Sequence, residues 1–451
     1  MDYNNKHILV LGFGTSGIGA AKVLARCGAT VTLNDLKEIY VEDSLQEELD
    51  ALHIKVITGR QDSSLLEHVD RVITSPGIPL TIPIIVEAKN RNIEVTGEVE
   101  LAYDIAKAPI LGITGTNGKT TSTMLLAEVM KETGKPICVG GNIGDALSQK
   151  VLDVPTDGFI IAELSSYQLE SIINFKTHGA IVLNLTPDHL QRHKTMKAYQ
   201  EAKEKIFLHQ DTTDITVLNY DDAVVKEMAT RVPGQVLFIS QTTKVKNGAY
   251  FSNQMCYVVA NGQEMPVIAQ KDIKIPGAHN IENILAVIAL SYSLGVTIEQ
   301  IKRAILRFSG VEHRIEPVRT IDGVRYFNDS KATNTDSAIK ALEAFTEPIV
   351  LIAGGYDKMT DLSAFMNVVK RKVKSLILIG DAAERFKIAA EVAEVKRILT
   401  AKSMREAVKI AQDESKSGEV VLLSPACSSF DWYTCFEERG EDFKENVKAL
   451  H

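Results

Sequence analysis

Short apolar runs rich in valine, isoleucine and leucine return along the whole sequence, each followed by a stretch with helical spacing. The first are HILVL at 7 to 11, a helix through Ile18 to Arg26 stopped by Gly28, TVTLN at 30 to 34 and RVITS at 71 to 75. Runs this short and this continuously apolar fit strands buried on both faces, and strands that alternate with helices fit a parallel sheet. The rhythm resumes at PILGIT (109 to 114), GFIIAEL (158 to 164), HGAIVLNL (178 to 185) and DITVLN (214 to 219), and again at PIVLIAGG (348 to 355), SLILIG (375 to 380) and EVVLLSP (419 to 425). A chain of 451 residues exceeds one ordinary core at about 100 to 200 residues per domain. We therefore expect three α/β domains, 1–98, 99–311 and 312–451, with Rossmann-like sheets at the amino and carboxyl ends. Their glycine patterns differ, so they are not copies in an array. Between about 236 and 275 polar and apolar residues alternate, broken by Asn247-Gly248 and Asn261-Gly262. That predicts a small antiparallel insert with tight hairpins on the central domain.

The central domain opens on GITGTNGKT, Gly112 to Thr120, between an apolar strand and a helical pattern through Met124, Leu125, Ala127, Glu128 and Met130. A strand, a glycine-rich turn and Lys-Thr at a helix start make a cradle for phosphate, because backbone N–H groups and the helix amino end face the anion. The domain is thus read as P-loop ATPase-like. Lys119 would offset charge on the outer phosphates and the Thr120 hydroxyl would ligate Mg2+. Isoleucine at 113, where the common GxxxxGK[ST] pattern has its first glycine, marks a variant of that loop. A structural turn carrying a surface lysine is the competing reading.

Gly12, Gly14 and Gly17 follow the first strand, with Asp35 at the end of the next. This matches the dinucleotide fingerprint, yet the same loop and carboxylate can hold any nucleotide diphosphate and its ribose. An NAD-dependent oxidoreductase and a nucleotide-binding regulator without catalysis stay open here.

The net charge of -8 is spread along the chain without a basic tract, which argues against nucleic acid and for small-molecule partners. The five cysteines, Cys27, Cys138, Cys256, Cys427 and Cys435, are scattered and form no CxxC pair, as in a reducing compartment. No apolar run approaches the roughly 18 residues of a membrane span. With no signal-peptide pattern in MDYNNKHILVLGFG, we expect a cytoplasmic protein that uses no membrane.

Eight motifs occur in order: GITGTNGKTT, VGGNIG (139 to 144), AELSSYQLE (162 to 170), LNLTPDHL (183 to 190), GAHNIENILA (277 to 286), EHRIE (312 to 316), NDSKATN (328 to 334) and LLSPACSSFD (422 to 431). Together they resemble the Mur ligase family over nearly the whole chain. GFGTSG and NDSKATN look most like its D-glutamate-adding branch. The resemblance implies an ATP-dependent carboxylate–amine ligase of peptidoglycan precursor synthesis. It would join D-glutamate to UDP-N-acetylmuramoyl-L-alanine through an acyl phosphate, act as a monomer, and close its domains to assemble the site. The nearest alternative is a related ligase for another amino acid.

The family pattern also implies roles residue by residue. Thr15, Ser16, Asp35, Gly77 and Asn142 would hold the UDP-sugar, which leaves no need for NAD. Gly115, Thr116, Asn117, Gly118, Lys119, Thr120 and Thr121 would hold ATP phosphates, with Asn280 and Asn283 near the base and Arg314 and Asp329 from the carboxyl-terminal domain. Glu163, read from its strand end alone, is either a turn cap or a ligand; the resemblance makes it a magnesium ligand, with His189 and Thr120. His189 and His193 are four apart, as in some zinc sites, but no third ligand accompanies them. Gln191 stands where the family often has an acidic residue. Lys203 reads from its surroundings as a solvated helix lysine, whereas its position matches the lysine that the family carbamylates. Lys331 joins Lys119, Glu163, His189 and Lys203 as a reaction-centre residue, and Thr333, Lys358, Ser429 and Phe436 match the D-glutamate pocket.

Overall fold

The structure, a computed structural model, describes residues 2–144 and 146–450. The first sheet is built from β1 (His7–Leu11), β2 (Thr30–Asp35), β3 (Lys55–Thr58), β4 (Arg71–Thr74) and β5 (Glu94–Gly97), all parallel, in the order β3-β2-β1-β4-β5. Strand order reverses between β1 and β4, so a crevice opens beyond their carboxyl ends, where such sheets bind ligands. The helix Thr15–Arg26 starts at that crevice and buries Ala20, Ala21, Val23 and Leu24 against the sheet.

The second sheet has nine strands: β6 (Ile110–Thr114), β7 (Ile137–Gly141), β8 (Phe159–Glu163), β9 (Gly179–Val182), β10 (Ile215–Asn219), β11 (Gln235–Ser240), β12 (Gly248–Ser252), β13 (Met255–Ala260) and β14 (Gln263–Ala269). Their order is β14-β13-β12-β11-β10-β9-β6-β8-β7. Every residue of β6, β8, β9 and β10 is buried, which is why these strands read as unbroken apolar runs. The register pairs Ile113 with Glu163 and Thr114 with Val182, so the chain leaves all three central strands at one edge of the sheet.

The antiparallel insert expected on the central domain forms the outer flank of this sheet. Only β12, β13 and β14 pair antiparallel; β11 and β12 run parallel. Asn247-Gly248 is therefore not a hairpin turn. Gly248 opens β12 with a φ of 121°, and a Cβ there would lie 2.0 Å from the Phe238 carbonyl oxygen, so the glycine serves close strand approach. The hairpin between β12 and β13 turns at Asn253 and Gln254, both with positive φ, while Asn261-Gly262 makes the second hairpin as expected. The outermost strand carries Pro266 opposite Tyr257.

The third sheet contains β15 (Glu316–Ile321), β16 (Val324–Asn328), β17 (Ile349–Gly354), β18 (Val373–Ile379), β19 (Ile398–Thr400) and β20 (Val420–Leu423), in the order β15-β16-β20-β17-β18-β19. It is parallel except for the β15–β16 hairpin, and β20 returns between β16 and β17. The chain forms two compact units, residues 1–270 with 282–306, and residues 271–281 with 307–451. The first holds the five- and nine-stranded sheets, the second the six-stranded sheet. Among the described residues no helix is long and apolar enough to cross a membrane, and the cysteines are unbridged.

Candidate active site

In the first unit the phosphate loop leaves β6 and enters the helix Lys119–Lys131. Gly118 caps that helix with φ 84°, and a Cβ would lie 2.2 Å from Asn283 Oδ1, so only glycine fits. The loop is braced from below. Thr116 Oγ1 donates to the Thr186 carbonyl at 3.1 Å and lies 3.2 Å from the Tyr199 hydroxyl, and the Asn117 N–H donates to Asn184 Oδ1 at 2.8 Å. Thr116, Asn117 and Thr121 are buried, whereas Thr120 in the first helical turn is half-buried. Lys119 bends back onto its own loop, donating to the carbonyls of Gly115 (2.9 Å) and Thr116 (2.8 Å).

Lys203 reaches the same Gly115 oxygen at 2.8 Å and Thr114 Oγ1 at 3.3 Å. It is 1% exposed, which overturns the reading of a solvated helix lysine. The helix Met196–Glu204 turns Tyr199 and Lys203, four residues apart, to one face, with the ammonium 4.8 Å from the Tyr199 ring. Burial, and then the Lys119 charge, hold the Lys203 amine well below the ordinary lysine range.

Glu163 ends β8 beside the loop and is 2% exposed. Asn142 Nδ2 donates to its Oε1 at 2.9 Å, while Oε2 is buried without a hydrogen-bond partner among the described residues. A buried carboxylate oxygen without a donor is costly unless a cation meets it. This donor set of carboxylate and hydroxyl oxygens fits magnesium.

His189, at φ 54°, caps the helix Leu190–His193; its Nδ1 lies 3.0 Å from the Tyr167 hydroxyl and its Nε2 3.5 Å from Asp188. His193 turns instead to Ser166 Oγ (2.9 Å) and Glu170 (3.2 Å), so the two histidines do not form a zinc pair.

At the first sheet, Thr15 and Ser16 begin the helix after the glycine loop, and exposed Gly77 lies in the loop after β4. Asp35 accepts the Phe13 N–H at 3.0 Å and the Lys37 N–H at 2.9 Å, so it also shapes the glycine loop.

In the second unit Asn280 donates through Nδ2 to the Pro276 carbonyl at 2.6 Å. Arg314 lies 3.9 Å from Asp329, which also accepts Ser424 Oγ–H at 2.8 Å and the Ile315 N–H at 3.2 Å. Burial raises the Asp329 carboxyl to about 6 against the pull of Arg314. Lys358 donates to the Thr333 carbonyl at 3.2 Å, and the Lys331 ammonium lies 5.2 Å from the Phe436 ring centre. Sequence reasoning missed Arg439, which is 1% exposed and sews this cluster together. Its guanidinium donates to Ser330 Oγ and to the carbonyls of Ser330, Cys427 and Ser428, joining NDSKATN to the loop that carries Ser429. Tyr199, Asn184 and Arg192 were missed as well; the four-residue spacing of Tyr199 to Lys203 was the one available signal.

A phosphate loop, a buried carboxylate and a buried lysine at one sheet edge, together with a second glycine loop on a parallel sheet, define a nucleotide-using α/β enzyme. Family models agree along the chain: a Mur ligase MurD-like N-terminal domain over residues 6–97, a Mur ligase middle domain over 113–291 and a Mur ligase, glutamate ligase domain over 313–427. The chain belongs to the Mur ligase family. It is 44% identical to UDP-N-acetylmuramoylalanine–D-glutamate ligase of Thermoanaerobacter sp. (strain X514) and 42% identical to the enzyme of that name from Clostridioides difficile (strain 630), in each case over 100% of both chains. Among solved structures, a pseudomurein peptide ligase type C from Methanothermus fervidus shares the fold with a TM-score of 0.62 at 19% identity, covering 99% of this chain and 100% of that one. UDP-N-acetylmuramate-alanine ligase from Thermotoga maritima does so with a TM-score of 0.61 at 20% identity, over 98% and 99%.

Proposed function

We propose that this chain joins D-glutamate to UDP-N-acetylmuramoyl-L-alanine at the expense of ATP, as a cytoplasmic monomer. The observation that carries the chemistry is the meeting of Lys119, Lys203 and the unsatisfied oxygen of Glu163 around one phosphate loop. The relatives identical at more than 40% over the full chain carry the choice of substrate.

In this reading residues 1–98 hold the UDP-sugar through Thr15, Ser16, Asp35 and Gly77, with Asn142 from the central domain. Residues 99–311 hold the ATP phosphates along Gly115 to Thr121, with Asn283 behind Gly118. Residues 312–451 carry Arg314, Asp329 and Lys331 toward ATP, and Thr333, Lys358, Ser429 and Phe436 toward D-glutamate. Asn280 serves the nucleotide base.

The alanine carboxylate attacks the γ-phosphorus, its bond to the β-γ bridging oxygen breaks, and ADP leaves. Lys119 exchanges its loop carbonyls for phosphate oxygens and offsets their charge. The D-glutamate amine then attacks the acyl phosphate carbon, loses a proton, and phosphate departs as the amide forms. Lys358 pairs with a D-glutamate carboxylate as a point charge. Thr120, Glu163, His189 and Lys203 would hold Mg2+, which when bound spreads the negative charge of the phosphates. Lys203 serves there as its carbamate: the uncharged amine favoured by burial is the form that adds CO2, and the product offers anionic oxygens.

ADP release with UDP-N-acetylmuramoyl-L-alanine, scanned over D-glutamate, L-glutamate and L-alanine, tests the proposal. Release should depend on D-glutamate; equal rates with L-alanine would assign the chain to another branch.

A further inference from the structure

Arg192 lies outside every role assigned above, yet it touches two separate segments. Its Nε and Nη2 donate to Glu170 Oε2 at 3.1 and 2.7 Å, and the same Nη2 donates to the Ile78 carbonyl at 3.1 Å. The guanidinium also lies 5.5 Å from the Tyr167 ring centre. Arg192 and Glu170 are each 19% exposed, so solvent screens the pair only in part.

Each segment leads to a different part of the chemistry. Glu170 ends the helix Ser166–Glu170, which follows Glu163 by a short turn, and it also holds His193 at 3.2 Å. Tyr167 on that helix contacts His189 at 3.0 Å. Ile78 sits next to Gly77, and its side chain reaches the glycine loop: a Cβ placed on Gly12 would lie 3.1 Å from Ile78 Cδ1. One arginine thus spans the sugar-nucleotide loop of the first sheet and the two short helices that follow Glu163 and His189.

We propose that Arg192 is a positioning residue that couples sugar-nucleotide binding to the placement of Glu163 and His189. A nucleotide that orders the loop at Gly77 and Ile78 thereby also orders the two helices, so sugar nucleotide and magnesium bind more tightly together than apart. Such coupling is reciprocal and commonly amounts to about 5- to 150-fold. Lysine cannot replace the guanidinium fully, since one nitrogen lacks the planar fork that serves a carboxylate and a carbonyl at once. The inference rests on the proposed sugar-nucleotide reading of the first sheet.

Calorimetric titration of UDP-N-acetylmuramoyl-L-alanine into the full chain, with and without Mg2+ and a non-hydrolysable ATP analogue, tests it beside steady-state kinetics. The wild type should bind the sugar nucleotide at least about fivefold more tightly with the metal complex present. R192A should bind it with and without that complex equally well, lose about 10- to 100-fold in kcat, and keep the KM for D-glutamate. R192K should recover part of both coupling and kcat. Unchanged coupling in a folded R192A, or in R192K should R192A fail to fold, would overturn the inference. A wild type that gives no heat with the sugar nucleotide would overturn the underlying reading, and the inference with it.

Discussion

Asp329 shows how a single buried carboxyl ties stability to pH. Desolvation raises it to about 6, while Arg314, Ser424 and the Ile315 N–H pull the other way. Its folded pKa exceeds the unfolded value, so between about 4 and 6 the folded chain holds the extra proton, and its contribution to stability is lost as pH rises through 6. Asparagine keeps an oxygen for the Ile315 N–H and offers its amide to Ser424. We predict that D329N is more stable than the parent by about 1 to 3 kcal/mol at pH 7.5 and no more stable at pH 4, in thermal melts at both pH values. A gap independent of pH would sink this account. Lys203 marks the limit of reading single residues. Nothing within YQEAKEKIF separates a buried lysine from a solvated one, because its burial is created by β6 and the loop after it, some 90 residues earlier. Order of motifs, not local pattern, singled it out.

At the scale of elements, the phosphate loop was legible because strand, turn and helix cap are contiguous in sequence. Its left-handed Gly118 gives a direct test. G118A meets both the cost of a Cβ at positive φ, about 1 to 2 kcal/mol, and the Asn283 oxygen. ATP affinity should fall at least about tenfold by calorimetry, while UDP-N-acetylmuramoyl-L-alanine binds as before. Loss of both would mean that the two loops do not act separately. The antiparallel pairing of β12 to β14 follows the sequence pattern, whereas the hairpin expected at Asn247-Gly248 fails for a reason of the same kind. Alternating polarity is identical in a parallel and an antiparallel edge strand, so direction depends on the connection. Residues 241–247 make that connection under the control of Asp221, which accepts from Ser240, Gln241 and Thr242, and their path returns the chain parallel to β11.

At the scale of the whole molecule, the two compact units divide the expected ligands. A chain built this way need not melt in one step. Differential scanning calorimetry should resolve two transitions, and UDP-N-acetylmuramoyl-L-alanine at about 100 times its dissociation constant should raise only the one belonging to residues 1–270 and 282–306, by the equivalent of about 2.7 kcal/mol. A single transition shifted as a block would show one cooperative body instead. The rim of the nine-stranded sheet has a consequence of another sort. Pro266 deprives β14 of a backbone donor, and the ion pair of Glu264 with Lys244 places charge beside it. A second copy approaching edge to edge finds an interrupted ladder, so a long sheet that could seed aggregates in crowded surroundings is blunted where it ends.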